Sequence, residues 1–214
     1  MSKNELTTEK MTQALGWAYE KALNGIPGDL SSESLAKSYM KRFSSTDEAI
    51  HSLIKWQTAK SSTSGFVTGL GGIVTLPVAV PVNIASVLYV QMRMIAAIAY
   101  MRGYDLKDDQ VQTFVFICLT GQAASDILKQ SGITVGTKLT VQLIKKVPGT
   151  TLTKINQKVA FRLVTKFGEK GVINLGKLVP IVGGVIGASV DGVGTKIIGN
   201  QANKLFVELD SSVI

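Results

Sequence analysis

His51 is the single histidine of this 214-residue chain, and Cys118 is its single cysteine. One histidine rules out a multi-histidine metal site. With no serine or cysteine nucleophile beside it in sequence, a histidine-dependent relay is strained as well. Cys118 sits in the apolar run Phe114–Leu119, where a thiol behaves as a small buried hydrophobe. A lone cysteine closes no intramolecular disulfide, which fits a reducing compartment. Asp105, Asp108 and Asp109 bring three carboxylates close together. An oxygen-ligand loop needs more donors at regular spacing and a glutamate, so these aspartates read as helix caps. Gly171 to Lys177 (GVINLGK) nearly matches a phosphate-binding loop, but Leu178 stands where the magnesium-holding hydroxyl belongs. The segment before it reads as helix rather than strand, so the context fails too. These residues predict no catalytic group, no cofactor and no metal, and the chain reads as non-enzymatic.

A different chemistry is spelled by Lys154, Lys158, Arg162 and Lys166, which recur every fourth residue. On a helix they form a nearly straight ridge. Ile155, Val159, Leu163 and Phe167 form an apolar row about 100° round from it. Such a helix suits an anionic surface, with lysine stems snorkelling over apolar ground and their heads meeting anionic groups. It equally suits a helix packed on a core with its basic side in water. Charge distribution favours an anionic partner. Residues 1–60 hold eight basic and seven acidic side chains, residues 61–128 three and four, and residues 129–214 twelve and four. The net charge of +8 therefore lies almost wholly in the last third. Aromatic residues make up only 7% of the chain, which counts against a base-stacking nucleic-acid module.

The elements that hold this ridge are organised around Ser61 to Met92, which contains no charged residue. The run is long enough to span a bilayer, about 20 residues being required. Pro77 and Pro81 interrupt it, and residues before proline avoid the helical region. Two helices with a break are expected, roughly Gly65–Thr75 and Val82–Arg102. Arg93 in the second would cost about 2.5–3.5 kcal/mol near a bilayer centre. A hairpin buried in a helical core is the leading reading, and a membrane-embedded hairpin the second. Gly65 and Gly69 are four apart, and Gly183, Gly187 and Asp191 repeat that step. Glycines so spaced make a groove for close backbone approach, so Gly65, Gly69, Gly183 and Gly187 are expected to pack helices tightly.

Along the rest of the chain, hydrophobic periodicity and caps predict helices. They cover Leu6–Asn24, Ser31 or Ser32 to Arg42, and a stretch from the Ser45–Glu48 capping box to about Lys60. Gly103 is a natural helix end. A further helix follows Asp105 or Asp108 to Gln130, bent near Gly121. Ile133–Val147 is rich in β-branched residues and is read as helix by context. Leu152–Phe167, a short helical linker at 169–177, and Leu178 to about Leu209, breaking near Gly192–Gly194, complete the pattern. The expected architecture is all-α. It is one compact multi-helix domain around a Gly/Pro-broken apolar hairpin, with N-terminal helices at 1–60, the hairpin and following helix at 61–130, and basic helices at 131–214. The N-terminus has early acidic residues and no apolar h-region, so no secretory signal is expected there.

Several of these residues together resemble the EcsC protein family. The likeness lies in Thr75-Leu76-Pro77 with Pro81, in Arg93 followed by Ile95-Ala96-Ala97-Ile98-Ala99, and in Gly103-Tyr104-Asp105-Leu106. A second block, Val179 to Ala188 followed by Asp191-Gly192, is similar to the family's C-terminal block. Together they span roughly residues 60–208. The family pattern has Asp after the second proline where this chain has Asn83, so no carboxylate role is carried over there. The resemblance implies a bacterial-type protein whose founding member is linked genetically to an ABC transporter. It implies no established catalytic activity and carries over no catalytic residue.

Taken with the basic ridge, these features lead to an expected function. The protein would be a non-enzymatic helical protein, cytoplasmic and peripheral at the inner face of a membrane, binding anionic lipid or a membrane-protein partner. The alternative is a soluble adaptor or immunity-type protein whose basic face meets an acidic protein. A lipid-acting enzyme using carboxylates not identifiable in the sequence is the third reading.

Overall fold

Local capping chemistry sets the first three helices. Thr7 accepts a hydrogen bond from the Lys10 N–H at 3.2 Å and opens α1, Thr8–Asn24. Ser31 does the same for Ser34 and opens α2, Ser32–Met40. Ser45 accepts from the Glu48 N–H at 3.3 Å ahead of α3, Thr46–Ser61. Each hydroxyl satisfies one of the donors a helix start leaves without a partner. The computed structural model describes residues 6–61, 80–133, 144–168 and 186–207, without the side chains of Asn83 and residues 186–191. The expected helix Gly65–Thr75, the linker 169–177, Pro77 and the glycines Gly65, Gly69 and Gly183 lie outside the described residues, as do 134–143 and 178–185.

Pro81 stands at the N-cap of α4, Val82–Met101, where its missing N–H costs nothing. Next come α5, Asp109–Cys118, a single 3-10 turn at Gly121–Ala123, and α6, Ala124–Gln130. The expected bend near Gly121 is therefore a true break. Gly121 adopts φ 60°, a left-handed conformation that side chains resist. α7 runs Gly149–Phe167, starting one turn earlier than expected because Pro148 serves as its N-cap. α8 runs Ile186–Leu205 without the break expected at Gly192–Gly194. Glycines there cost about 1 kcal/mol each in helix propensity. Packing of α8 on α3, α4 and α5 outweighs that cost.

The described part is all-α, its eight helices sharing one core. α4 lies at the centre, against α1, α2, α3, α5 and α8. Its stretch Ile84–Met101 has a mean hydropathy of 1.5, apolar enough to cross a membrane, yet 89% of it is buried inside the protein. This helix, expected as the second arm of an apolar hairpin, faces other helices. α7 packs on α1, α5 and α6, burying Ile155, Val159 and Leu163 of the apolar row while Phe167 is half-buried.

α8 comes close to both α3 and α4 at Gly199. A Cβ there would meet Ile54 Cγ1 at 2.8 Å and Met94 Cε at 3.2 Å. Thr195, one turn earlier, accepts a buried hydrogen bond from Gln91 Nε2 at 3.3 Å. Thr195 and Gly199 continue the four-residue step that begins at Gly183 and Gly187. Gly187 itself falls in the first turn of α8. Replacing Gly199 by Leu should lower stability by about 1–3 kcal/mol, the usual cost of overpacking. The expected result is a melting temperature several degrees below wild type, measured by circular dichroism. An unchanged value would mean that α8 can slide off α3 and α4 at no cost.

Candidate functional site

Two polar clusters on α4 position everything around it. In the first, the Arg93 side chain is only 1% exposed, and its guanidinium pairs with the Asp29 carboxylate. Nη1 also donates to the Leu30 carbonyl at 3.1 Å, and the group lies 5.6 Å from the Tyr89 ring centroid. The Tyr89 hydroxyl donates to Asp29 at 3.3 Å. Burial, only partly opposed by the neighbouring Arg93, pushes the Tyr89 hydroxyl up to about 12. The turn between α1 and α2 is thus pinned to the middle of α4 by a charge. In the second cluster, Arg102 at the end of α4 pairs with Asp47 of α3 and donates to Asn203 of α8 at 2.8 Å.

The Gly103-Tyr104-Asp105 block terminates α4. Gly103 adopts φ 87° and its N–H bonds the Tyr100 carbonyl at 2.9 Å, while the Tyr104 N–H reaches Ala99 at 3.1 Å. This is a Schellman end, which needs a left-handed residue at Gly103. Tyr104 then packs edge-on against Phe206 beyond α8, with centroids 5.0 Å apart. Asp105 accepts from the Lys107 N–H at 2.9 Å and shapes the turn into α5, where Asp108 occupies the N-cap. The Tyr19 hydroxyl of α1 donates to the Leu106 carbonyl at 2.7 Å inside the core. Arg93, Gly103, Tyr104 and Asp105 are all engaged in holding helices together.

Among the described residues, a groove of about 510 Å³ opens outward between α6 and α7. On α7 it is lined by Lys154, Gln157, Lys158, Phe161 and Arg162. On α6 and the turn before it the lining is Ala123, Asp126, Ile127 and Gln130. Both sets follow the i, i+3, i+4, i+7 spacing of a single helix face. Lys154 and Arg162 are exposed. Lys158 spans the groove, donating to the Gln130 carbonyl at 3.1 Å, where a cation also suits the C-terminal end of α6. Phe161 stands among these cations with 64% of its surface exposed. Lys166 lies further along α7, outside the groove, over the Phe167 ring at 5.2 Å.

The ridge is thus brought to the surface, and three of its four members share the groove. The apolar row beside it is directed into the core, so the apolar contribution at the surface comes from Phe161. Spacing of Phe161 and Gln157 with the lysines could have shown the α7 face, but nothing in the sequence pairs that face with α6. His51 is exposed on α3. Cys118 is fully buried, and burial pushes its thiol well above the usual range, so it is held protonated. The near phosphate loop at Gly171–Lys177 lies outside the described residues.

A centrally buried apolar helix, ended by a Gly-Tyr-Asp turn and surrounded by helices with a basic outer groove, defines an all-helical class of protein. The sequence profile of the EcsC protein family matches residues 2–207, and the chain belongs to that family. No curated protein and no solved structure matches the chain.

The Arg93 pairing generates a stability prediction. Asp29→Asn removes the carboxylate and leaves a buried guanidinium without its counter-charge. Breaking such a pair from one side costs about 3–5 kcal/mol, reduced here because Asp29 is partly exposed. Arg93→Met in the Asp29→Asn background should recover part of the loss, because the uncompensated charge is gone. Urea unfolding of the two variants tests this. A single mutant as stable as wild type would remove Arg93–Asp29 from the list of interactions the fold requires.

Proposed function

We propose that this protein acts without catalysis as a peripheral membrane-associated protein, using the basic outer face of α7 to bind anionic lipid. The observation that carries this reading is the exposed Phe161 set among Lys154, Lys158 and Arg162 on one groove. An aromatic ring ringed by cations matches an interface where headgroups are anionic and the layer beneath is apolar. The uneven charge of the chain supports the same reading, since its excess lies in the part that contains α7. Because α4 is buried among other helices, attachment in this conformation rests on charge and a single ring, which makes it reversible and salt-sensitive. A cytoplasmic location at the inner face of a membrane follows from this proposal.

Each basic residue near an anionic membrane contributes about 1 kcal/mol, within a Debye length of about 8 Å at physiological salt. Lys154→Glu combined with Arg162→Glu removes two attractions and installs two repulsions, a loss of about 4 kcal/mol by the same arithmetic. Both side chains are exposed, so the fold should survive. Lys158 is left in place because it bonds the end of α6. Wild type should co-float with anionic liposomes, weaken in high salt and ignore neutral ones, and the double mutant should stay folded and not float. If wild type ignores anionic liposomes, an acidic protein partner becomes the better reading.

A further inference from the structure

The groove differs from a diffuse basic face in how its charges are arranged. Lys154, Lys158 and Arg162 occupy three successive turns of α7, each step about 6 Å along the axis. Lys158 donates across the groove to the Gln130 carbonyl at 3.1 Å, which draws the middle cation toward α6. Lys154 and Arg162 flank it on long side chains, each able to reach the middle turn. Against these three cations the lining holds one carboxylate, Asp126, which leaves two positive charges in excess. Phe161 forms the exposed apolar edge on the same helix face, and Ile127 contributes an apolar wall opposite.

Resting on the membrane reading above, we propose that this groove is a discrete site for a single lipid headgroup bearing a phosphomonoester. A phosphomonoester carries about −1.5 to −2 charges near neutral pH and three strong acceptor oxygens. That charge matches the excess in the groove, and three oxygens match three cationic donors. Arg162 supplies a planar fork that grips two oxygens at once, which a lysine cannot do. The acyl chains leave the groove past Phe161, whose ring would sit at the boundary between headgroups and hydrocarbon. A monoanionic phosphodiester headgroup satisfies only half of the excess charge. The groove therefore discriminates by headgroup chemistry as well as by surface charge.

The test uses the full chain and neutral phosphatidylcholine vesicles doped with either phosphatidic acid or phosphatidylglycerol. Doping is adjusted so that both preparations have the same measured surface charge. Wild type should bind the phosphatidic-acid vesicles about tenfold more tightly, the low end of what a charged hydrogen bond supplies. Arg162→Gln should abolish that preference, Lys154→Gln should reduce it, and Lys196→Gln, which removes an exposed charge outside the groove, should leave it intact. Melting curves confirm that the variants are folded. Equal binding to both vesicles at matched charge would overturn the headgroup site while leaving general anionic binding standing. Binding to neither would overturn both. Displacement from the vesicles by glycerol 3-phosphate at comparable concentration would assign the groove to a soluble phosphate and overturn the lipid assignment.

Discussion

A guanidinium in the middle of an apolar helix constrains this fold more than any other group. An unpaired charge in a low-dielectric interior costs several kcal/mol even after relaxation, so Arg93 must be met where it lies. Asp29, the Leu30 carbonyl and the Tyr89 ring meet it from one side of α4. Two of those three groups belong to the short turn after α1. That turn therefore cannot drift, and α1 and α2 are fixed against α4 on either side of it. Hydrophobic packing alone is tolerant of small rotations of a helix. A buried ion pair with a carbonyl and a ring around it is not, so Arg93 sets the rotation of α4 that all later helices must accept.

With α4 so fixed, its other faces dictate what can lie against them. Gln91 needs a polar partner, and Thr195 provides one from α8. Met94, one turn further, needs a neighbour with no side chain, and Gly199 provides that. Arg102 at the last turn then draws Asp47 and Asn203 together, tying α3 and α8 to the same end. Polar groups at regular intervals along an otherwise apolar helix act as register marks. A one-turn shift of α8 in one direction would place Thr195 against Met94, and in the other would bring Gly199, which has no side chain, opposite Gln91.

Much of this was legible in the sequence because it is local. The helix starts at Ser31 and Ser45, the end at Gly103 and the break at Gly121 all follow from residues within one turn, whereas the first helix, expected from Leu6, starts two residues later behind a Thr7 cap. The amphipathic split of α7 was legible for the same reason. Asp29 as the partner of Arg93 was not, because 64 positions separate them and several acidic residues were equally available. Gly199 is masked in the sequence although the four-residue step reaches it, because Thr195 and Lys196 interrupt the apolar run after Asp191. The continuity of α8 across Gly192–Gly194 shows tertiary packing overriding a weak local preference. The groove needed two helix faces to be opposed, and no single-helix pattern encodes its own neighbour.

The same division explains why α7 presents its basic side to the surface while α4 stays in the centre. The buried row Ile155, Val159 and Leu163 anchors α7 to α1 and α5, and a helix so anchored must turn its opposite face outward. Cations every fourth residue are then held on a rigid support, at fixed spacing and without the entropy cost of ordering a loop. Phe161, a large aromatic residue, stands largely exposed among these cations. Solvation alone would favour a polar residue at that position. Lys158 is half-withdrawn to brace α6, so the ridge also keeps the opposite wall of the groove in place. The brace and the ring are the two features of this face that the binding proposal draws on.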